Sequence, residues 1–409
     1  MVQPWNIAPK LNIAKKCAII IGGGLAGTSA AYALVKKGWE VTLIERSAGL
    51  ASGASGNPAG ILSPMITHKK DPIGKFYLQG FEYSLRLLKE LSEFLPSTVQ
   101  FNNCGVIELG AGKVNKDLNE NVVPNTDIEK LSQAETTKLC GVELHSAGLH
   151  IEKGCWVSPE SLCRANIAAC GENIKVIFSS NIISMAKSES GWAVIDSSGK
   201  VIASAPVAII GNASDANNFV QTSWIPMHKV RGQLTYLPSM GLKLQKILCY
   251  DGGYISPEID GFNYVGATYS RTNMSSDVTV EDHMENINNL RKAINIGDIN
   301  YSELKGRVSF RATIPDRRPV IGAVPDIAAF YEDYADLKHG RRNKNYPQAK
   351  YLVGLYISTG YGSRGLSACL IGGETLAAMI NNEELPIDEE ISKILNPSRF
   401  IIKKLQSGA

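Results

Sequence analysis

The 409-residue sequence lacks several signatures, and each absence removes a class of protein. None of its eight cysteines forms a C-x-x-C pair, and no histidine stands at zinc-ligand spacing from them, which removes a structural zinc site. A chain this long has no need of disulfide staples, so reduced thiols and a cytoplasmic location are expected. Charge excess is also missing: 42 Lys and Arg face 39 Asp and Glu. Nucleic-acid binding as a bulk property is thereby excluded, leaving only room for a local basic patch. There is no internal repeat or low-complexity tract, and 44% hydrophobic with 20% charged residues excludes a disordered chain. One uncharged run, the nineteen residues from Cys17 to Val35 after Lys15-Lys16, has the length of a membrane span or signal segment. Gly22, Gly23, Gly24 and Gly27 interrupt it, and these spacings suit a phosphate loop rather than a hydrophobic helix.

What is present begins at that run. Cys17–Ile21 is continuously apolar, as a parallel strand buried on both faces must be. Residues 25–37 read as a helix with Ala26, Ala30 and Ala33 on its packing side and Gly38 as its stop. Residues 39–45 are a second strand ending in an acid. The turn between is G-x-G-x-x-G: Gly22 permits the sharp bend, Gly24 lets backbone approach a pyrophosphate, and Gly27 lets helix close on strand. Leu25 and Ala26 open the helix, whose free N–H groups favour phosphate. Glu45, 21 residues after Gly24, is placed to accept ribose hydroxyls, with Arg46 beside it. A carboxylate there disfavours a 2′-phosphate and so NADP, while FAD and NAD both remain.

The other end of the chain argues for flavin. Residues 357–368, ISTGYGSRGLSA, read as a buried strand breaking into a glycine loop that opens a helix. Gly362, Ser363, Arg364, Gly365 and Leu366 can offer N–H groups where a flavin pyrimidine ring gains charge on reduction. An ordinary strand-to-helix turn is the alternative. Between the ends, a helix is expected from Asp71-Pro72, another over 159–170 leading into a strand at 174–178, and a hairpin over 191–204. A buried strand over 205–213 ends at Gly211. Residues 100–150 read as short strands and loops, and 226–320 as strands and turns. The fold expected is α/β (α+β overall): a Rossmann-like FAD-binding domain, 1–75, 150–225 and 325–409, interleaved with a β-rich substrate domain, 76–149 and 226–324.

Together these segments resemble the D-amino-acid oxidase / glycine oxidase superfamily of FAD amine oxidases. The nearest resemblance within it is to the oxidoreductase half of bifunctional enzymes that build 5-methylaminomethyl-2-thiouridine in tRNA. It rests on IGGGLAGTSAAYALVKKGWEVTLIER at 21–46, LASGASGNPAGILSPMIT at 50–67, VRGQLT at 230–235, RATIPDRRPVIGAVPD at 311–326 and STGYGSRGL at 358–366. The tail Asn396-Pro397-Ser398-Arg399-Phe400 looks like that branch's H-P-x-R-F. Two departures stand out: the methyltransferase half is missing, and Asn57-Pro58-Ala59-Gly60 replaces the usual Asn-Arg-Gln-Gly.

The resemblance implies non-covalent FAD, further contacted by Ser52, Ala54, Ser55, Gly56, Asn57 and Gly211. It implies oxidation of 5-carboxymethylaminomethyl(-2-thio)uridine at the tRNA wobble position, yielding 5-aminomethyl-uridine and glyoxylate. Methylation would fall to a separate S-adenosylmethionine-dependent protein. Arginine suits a substrate carboxylate because its planar fork binds both oxygens. Arg311 is the first candidate, with pairing to Asp316 as the structural alternative. Arg364 is the second, facing either flavin or carboxylate. Arg307, Arg317 and Arg318 are read as structural or tRNA-facing, Tyr254 and Tyr269 as site walls or core, and His68 as a solvated loop residue. For tRNA, residues 338–350 (KHGRRNKNYPQAK) offer Lys338, Arg341, Arg342 and Lys344, with Lys350, no acid and Tyr346 interleaved. Oxidation of free glycine-type or D-amino acids, and a flavin-binding scaffold without turnover, are the competing functions.

Overall fold

Strand Cys17–Ile21 is buried on both faces, its side chains pointing alternately to the two sides of the sheet as the two-residue period of a strand demands. Ile20 packs into a helical layer, while Ile19 and Ile21 pack into a β layer on the opposite side. It lies within a six-stranded sheet ordered Val320–Pro325, Tyr351–Thr359, Val207–Ile210, Cys17–Ile21, Glu40–Ile44, Ile174–Ile177. Five of these strands run parallel, and Val320–Pro325 closes one edge antiparallel. In this computed structural model, the described residues are 3–7, 9–66, 71–110, 128–239, 241–339 and 345–407.

Helix Leu25–Lys36 packs on Gly365–Ile380, and Pro72–Phe94 packs on the outer side of Gly365–Ile380. Asp71 caps that long helix, accepting from the Gly74 amide at 2.7 Å. The other side of the sheet carries the meander Ile182–Ser188, Gly191–Asp196, Val201–Ala205. A small sheet of Gly60–Leu62, Cys155–Val157 and Phe101–Asn102 leads to the second body.

That second body is an eight-stranded sheet ordered Lys305–Thr313, His228–Pro238, Phe262–Gly266, Gly253–Ile259, Ile247–Tyr250, Val106–Leu109, Gly148–Ile151, Ile128–Leu131. Its two faces differ. Ile107, Leu248, Ile255 and Val265 pack under helix Val280–Arg291 through Ile287 and Leu290. The alternate residues therefore look the other way, towards the six-stranded body. Among them Glu108, Cys249 and Tyr254 are direct cross-strand partners.

Three sequence boundaries fall inside elements, and the one at 149/150 splits strand Gly148–Ile151 of the eight-stranded sheet. Residue 75 lies within Pro72–Phe94, whose Phe76, Phe81, Leu88 and Leu91 join the core of the six-stranded body. Residue 324 lies within the edge strand of that same body. Helices Gln133–Cys140 and Val280–Arg291 stand in segments read as strands, turns and loops. The first is announced by a capping box of Ser132 and Glu135, the second by Thr279 capping the Asp282 amide. Both are short and their polar faces are wide, so local capping outweighs a weak apolar period. All eight cysteines are free. Among the described residues no helix is long and apolar enough to cross a membrane. No cluster of three or more metal-ligating side chains occurs among them either.

Candidate functional site

The glycine turn forms because two backbone approaches leave no room for side chains. Gly22 has φ of +109°, and a Cβ on it would sit 2.7 Å from the Gly211 carbonyl oxygen. A Cβ on Gly27 would lie 1.9 Å from the Gly22 carbonyl oxygen, so helix Leu25–Lys36 closes directly on the turn. The helix has no side-chain cap of its own; the Leu25 amide donates instead to Ser55 Oγ at 3.0 Å. Glu45 is buried, accepting from the Gly23 amide at 2.7 Å and the Ser47 amide at 2.9 Å. Those bonds fix the carboxylate at the strand end, where each oxygen keeps a further lone pair. Arg46 pairs with Asp215.

These groups open on a cleft of about 420 Å³ between the two bodies. Gly22, Gly24, Leu25, Ala26, Glu45, Arg46, Ser52, Ala54, Ser55, Asn57 and Gly211 line it from the first half of the chain. Gly362, Ser363, Gly365 and Leu366 line it from the loop that opens helix Gly365–Ile380, and Arg311 from the eight-stranded sheet. Gly27, Gly56 and Arg364 do not line it. Gly27 acts through packing. Gly56 lies against Arg307, whose Nη2 would be 2.5 Å from a Cβ there. His68, Arg341, Arg342 and Lys344 lie outside the described residues.

Sequence reading missed a second group of lining residues. Asn212 and Ala213 continue the turn after Val207–Ile210; Ser180 to Ile183 come from the meander, and Ser309 and Phe310 precede Arg311. Asn212 Oδ1 is buried without a hydrogen-bond partner and could take a donor from a polar ligand. Its signal was available, since it follows Gly211 at a parallel strand's carboxyl end, where α/β sheets bind ligands. Arg307 takes the structural role expected of it. It donates to Asn57 Oδ1 at 2.9 Å, the Ser52 carbonyl at 3.1 Å and the Gly53 carbonyl at 2.6 Å, tying the 52–57 loop to the eight-stranded sheet.

Arg311 donates to the Thr268 carbonyl at 3.1 Å and has no acidic partner among the described residues. Asp316, its structural alternative, pairs with Arg399 instead, at 2.9 Å. Burial pulls the Arg311 guanidinium below its ordinary pKa, opposed by the fields of Tyr254 and Tyr269. A desolvated cation with spare N–H donors is a carboxylate receptor. Tyr254 donates to the Ala59 carbonyl at 3.2 Å on the cleft-facing side, whereas Tyr269 is 52% exposed. Arg364 lies with its guanidinium 5.8 Å from the Tyr77 ring centre. Its field reaches Glu108 and Cys249 across the gap between bodies. Of the basic segment, Lys338 is exposed, Lys350 pairs with Asp333 at 3.3 Å, and Tyr346 packs on Trp5 and Tyr334.

The glycine cradle, the anchored Glu45 and the unpartnered Asn212 oxygen fit an adenine dinucleotide, and the loop at 362–366 fits a flavin placed beside Arg311. The chain matches the DAO family of FAD dependent oxidoreductases over residues 18–379, and it belongs to that family. It is an FAD-dependent oxidoreductase. Among curated proteins it is similar to the tRNA 5-methylaminomethyl-2-thiouridine biosynthesis bifunctional protein MnmC of Pseudomonas savastanoi pv. phaseolicola, 32% identical over 99% of this chain. MnmC of Stutzerimonas stutzeri is 31% identical over the same share. The chain spans 62% of the length of each of these relatives. Its structure is similar to glycine oxidase from Geobacillus kaustophilus, with TM-score 0.72 and 19% identity over 91% of this chain and 96% of that one. L-proline dehydrogenase from P. horikoshii gives TM-score 0.73 at 18% identity, covering 96% and 99%. These likenesses show the fold.

Proposed function

We propose that this chain oxidises the glycine-like arm of 5-carboxymethylaminomethyl(-2-thio)uridine at the wobble position of tRNA. The observation that carries the reading is Arg311: a buried guanidinium, free of any described acid, on the wall of the cofactor cleft. Similarity to the MnmC proteins supplies the nucleotide context.

FAD, when bound, supplies the acceptor for two electrons as hydride. The protein's part is placement. Arg311 holds the arm's carboxylate, which fixes the adjacent CH2 against the cleft. As that carbon loses hydride, the nitrogen lone pair forms a C=N bond. Water then adds and the adduct splits to 5-aminomethyl-uridine and glyoxylate. Arg307 keeps the 52–57 loop in place while this occurs. Methylation of the product amine needs a methyltransferase activity in addition to this oxidoreductase region, and a cytoplasmic location follows from the substrate.

For the tRNA we assign phosphate contacts to the basic segment from Lys338 through Arg341, Arg342 and Lys344. Neutralising these four should flatten the salt dependence of tRNA binding. Mass spectrometry of wobble uridines from cells with and without the gene tests the function. Loss of the protein should accumulate 5-carboxymethylaminomethyl-uridine. Unchanged wobble uridines, with flavin reduced by free glycine or sarcosine as readily as by modified tRNA, would instead make it an amino-acid oxidase.

A further inference from the structure

We propose that Glu108 is the second polar anchor of the substrate chamber, accepting the proton of the substrate's amino group while Arg311 holds the carboxylate. The inference rests on the amine-oxidation reading above. Glu108 stands on strand Val106–Leu109, and its neighbour Ile107 packs under helix Val280–Arg291, so the carboxylate looks towards the FAD-binding body. Cross-strand pairing places Cys249 opposite Glu108 and Tyr254 opposite Cys249. Tyr254 in turn acts on Arg311. One row thus leads from the half-buried acid to Tyr254, whose field reaches Arg311.

The protein gives that acid no donor. Among the described residues the Glu108 carboxylate makes no hydrogen bond and no ion pair, although Arg364 acts on it from the facing loop. The two opposite charges do not pair, and a partly desolvated carboxylate without a donor favours one brought by a ligand. The other titratable groups facing Glu108 do not compete for the role. The Cys249 thiol is pushed up to about 12 by burial and by the charge of Glu108 itself, so it stays neutral. Tyr77, beneath Arg364, and Tyr254 are both raised to about 12 by burial. Lys130 lies two strands further along the same row.

The chemistry of a glycine-type amine matches this layout. Its carboxylate and ammonium are separated by one carbon, and the site offers one cation and one anion. The carbon cannot release hydride while its nitrogen is protonated, because the lone pair that forms C=N is occupied. Transfer of one proton from R2NH2+ to the Glu108 carboxylate gives R2NH and a neutral carboxylic acid. Burial, opposed by Arg364, lifts the Glu108 carboxyl above its ordinary value and makes it the stronger acceptor.

The test uses FAD-loaded protein and two nucleosides: 5-carboxymethylaminomethyl-uridine and its isostere with ether oxygen in place of the amine. Binding is read from the change in flavin absorbance. Glu108→Gln, which keeps shape and removes charge, should weaken the amine ligand tenfold or more and leave the ether within twofold. Glu108→Asp should restore part of that preference, and the acidic limb of the flavin-reduction profile should vanish in Glu108→Gln alone. Retained FAD content shows that the variants fold. Equal losses for both ligands, or none, would overturn the role of Glu108 and leave the substrate reading intact. Wild-type protein that binds neither nucleoside would overturn the substrate reading and this inference with it.

Discussion

Replacing Arg307 by Met should loosen FAD without touching any residue of the glycine turn. The side chain spans from strand Lys305–Thr313 to the 52–57 loop through three hydrogen bonds, one to Asn57 Oδ1 and two to backbone carbonyls. Bonds from a charged donor contribute about 1.5–3 kcal/mol when buried. Two of these three are solvent-exposed, so about 1 kcal/mol each is appropriate, or about 3 kcal/mol for the clamp. Ser52, Ala54, Ser55 and Asn57 line the cleft, and Ser55 also caps the nucleotide helix. If the cofactor binds only the ordered loop, that energy appears in its dissociation constant, at tenfold per 1.4 kcal/mol. FAD affinity should fall about 100-fold, measured by fluorescence titration of deflavinated protein. Arg307→Lys, with a point charge instead of a fork, should recover only part. A change below twofold in Arg307→Met would refute the clamp.

Arg311→Ala should retain FAD while weakening the carboxylate-bearing substrate by about 2–5 kcal/mol; unchanged kinetics would remove it from the site. Gly27→Ala drives a methyl to within bonding range of the Gly22 carbonyl, so purified protein should lack flavin absorbance. Arg231 is fully buried and donates to Asp282 and to the Ser275 and Asp277 carbonyls. Arg231→Met, by stranding the acid, should cost about 3–5 kcal/mol in denaturant unfolding. Burial works to raise the Asp282 carboxyl, but bonds from Arg231 and Thr279 outweigh it and hold the pKa below the ordinary value. The pair's stability is therefore present above about pH 4 and lost as pH falls through the lowered value. Wild-type protein should lose stability along that acidic limb, and Arg231→Met should show a flatter one.

The elements around the cofactor were legible because each carries a local signal. The apolar run Cys17–Ile21, the glycine spacing and the strand-ending Glu45 report backbone geometry within thirty residues of one another. The Asp71 cap and the 191–204 hairpin were equally local. What sequence concealed was which distant segments meet. Nothing in R-x-x-x-R separates Arg307, spent on a loop 250 residues away, from Arg311, left unpaired at the cleft. Arg364 sits inside a flavin motif yet points to Tyr77, because it occupies the residue just before helix Gly365–Ile380. Glu108 lies in a segment without any motif, and only the register of the eight-stranded sheet brings it into the row with Tyr254.

The order of the six-stranded sheet sets a condition on biosynthesis. Strand Val207–Ile210 lies between Cys17–Ile21 and Tyr351–Thr359, in register on both sides. The phosphate turn leaves the ribosome more than 300 residues ahead of the loop at 362–366 that completes the cleft. Such remote pairings close slowly, and until they do the nascent apolar strands remain open to misassembly. A ligand that stabilises only the closed arrangement pulls folding forward by mass action. Cellular flavin supply thereby becomes a determinant of how much of this chain survives to the folded state, quite apart from how much of it can turn over.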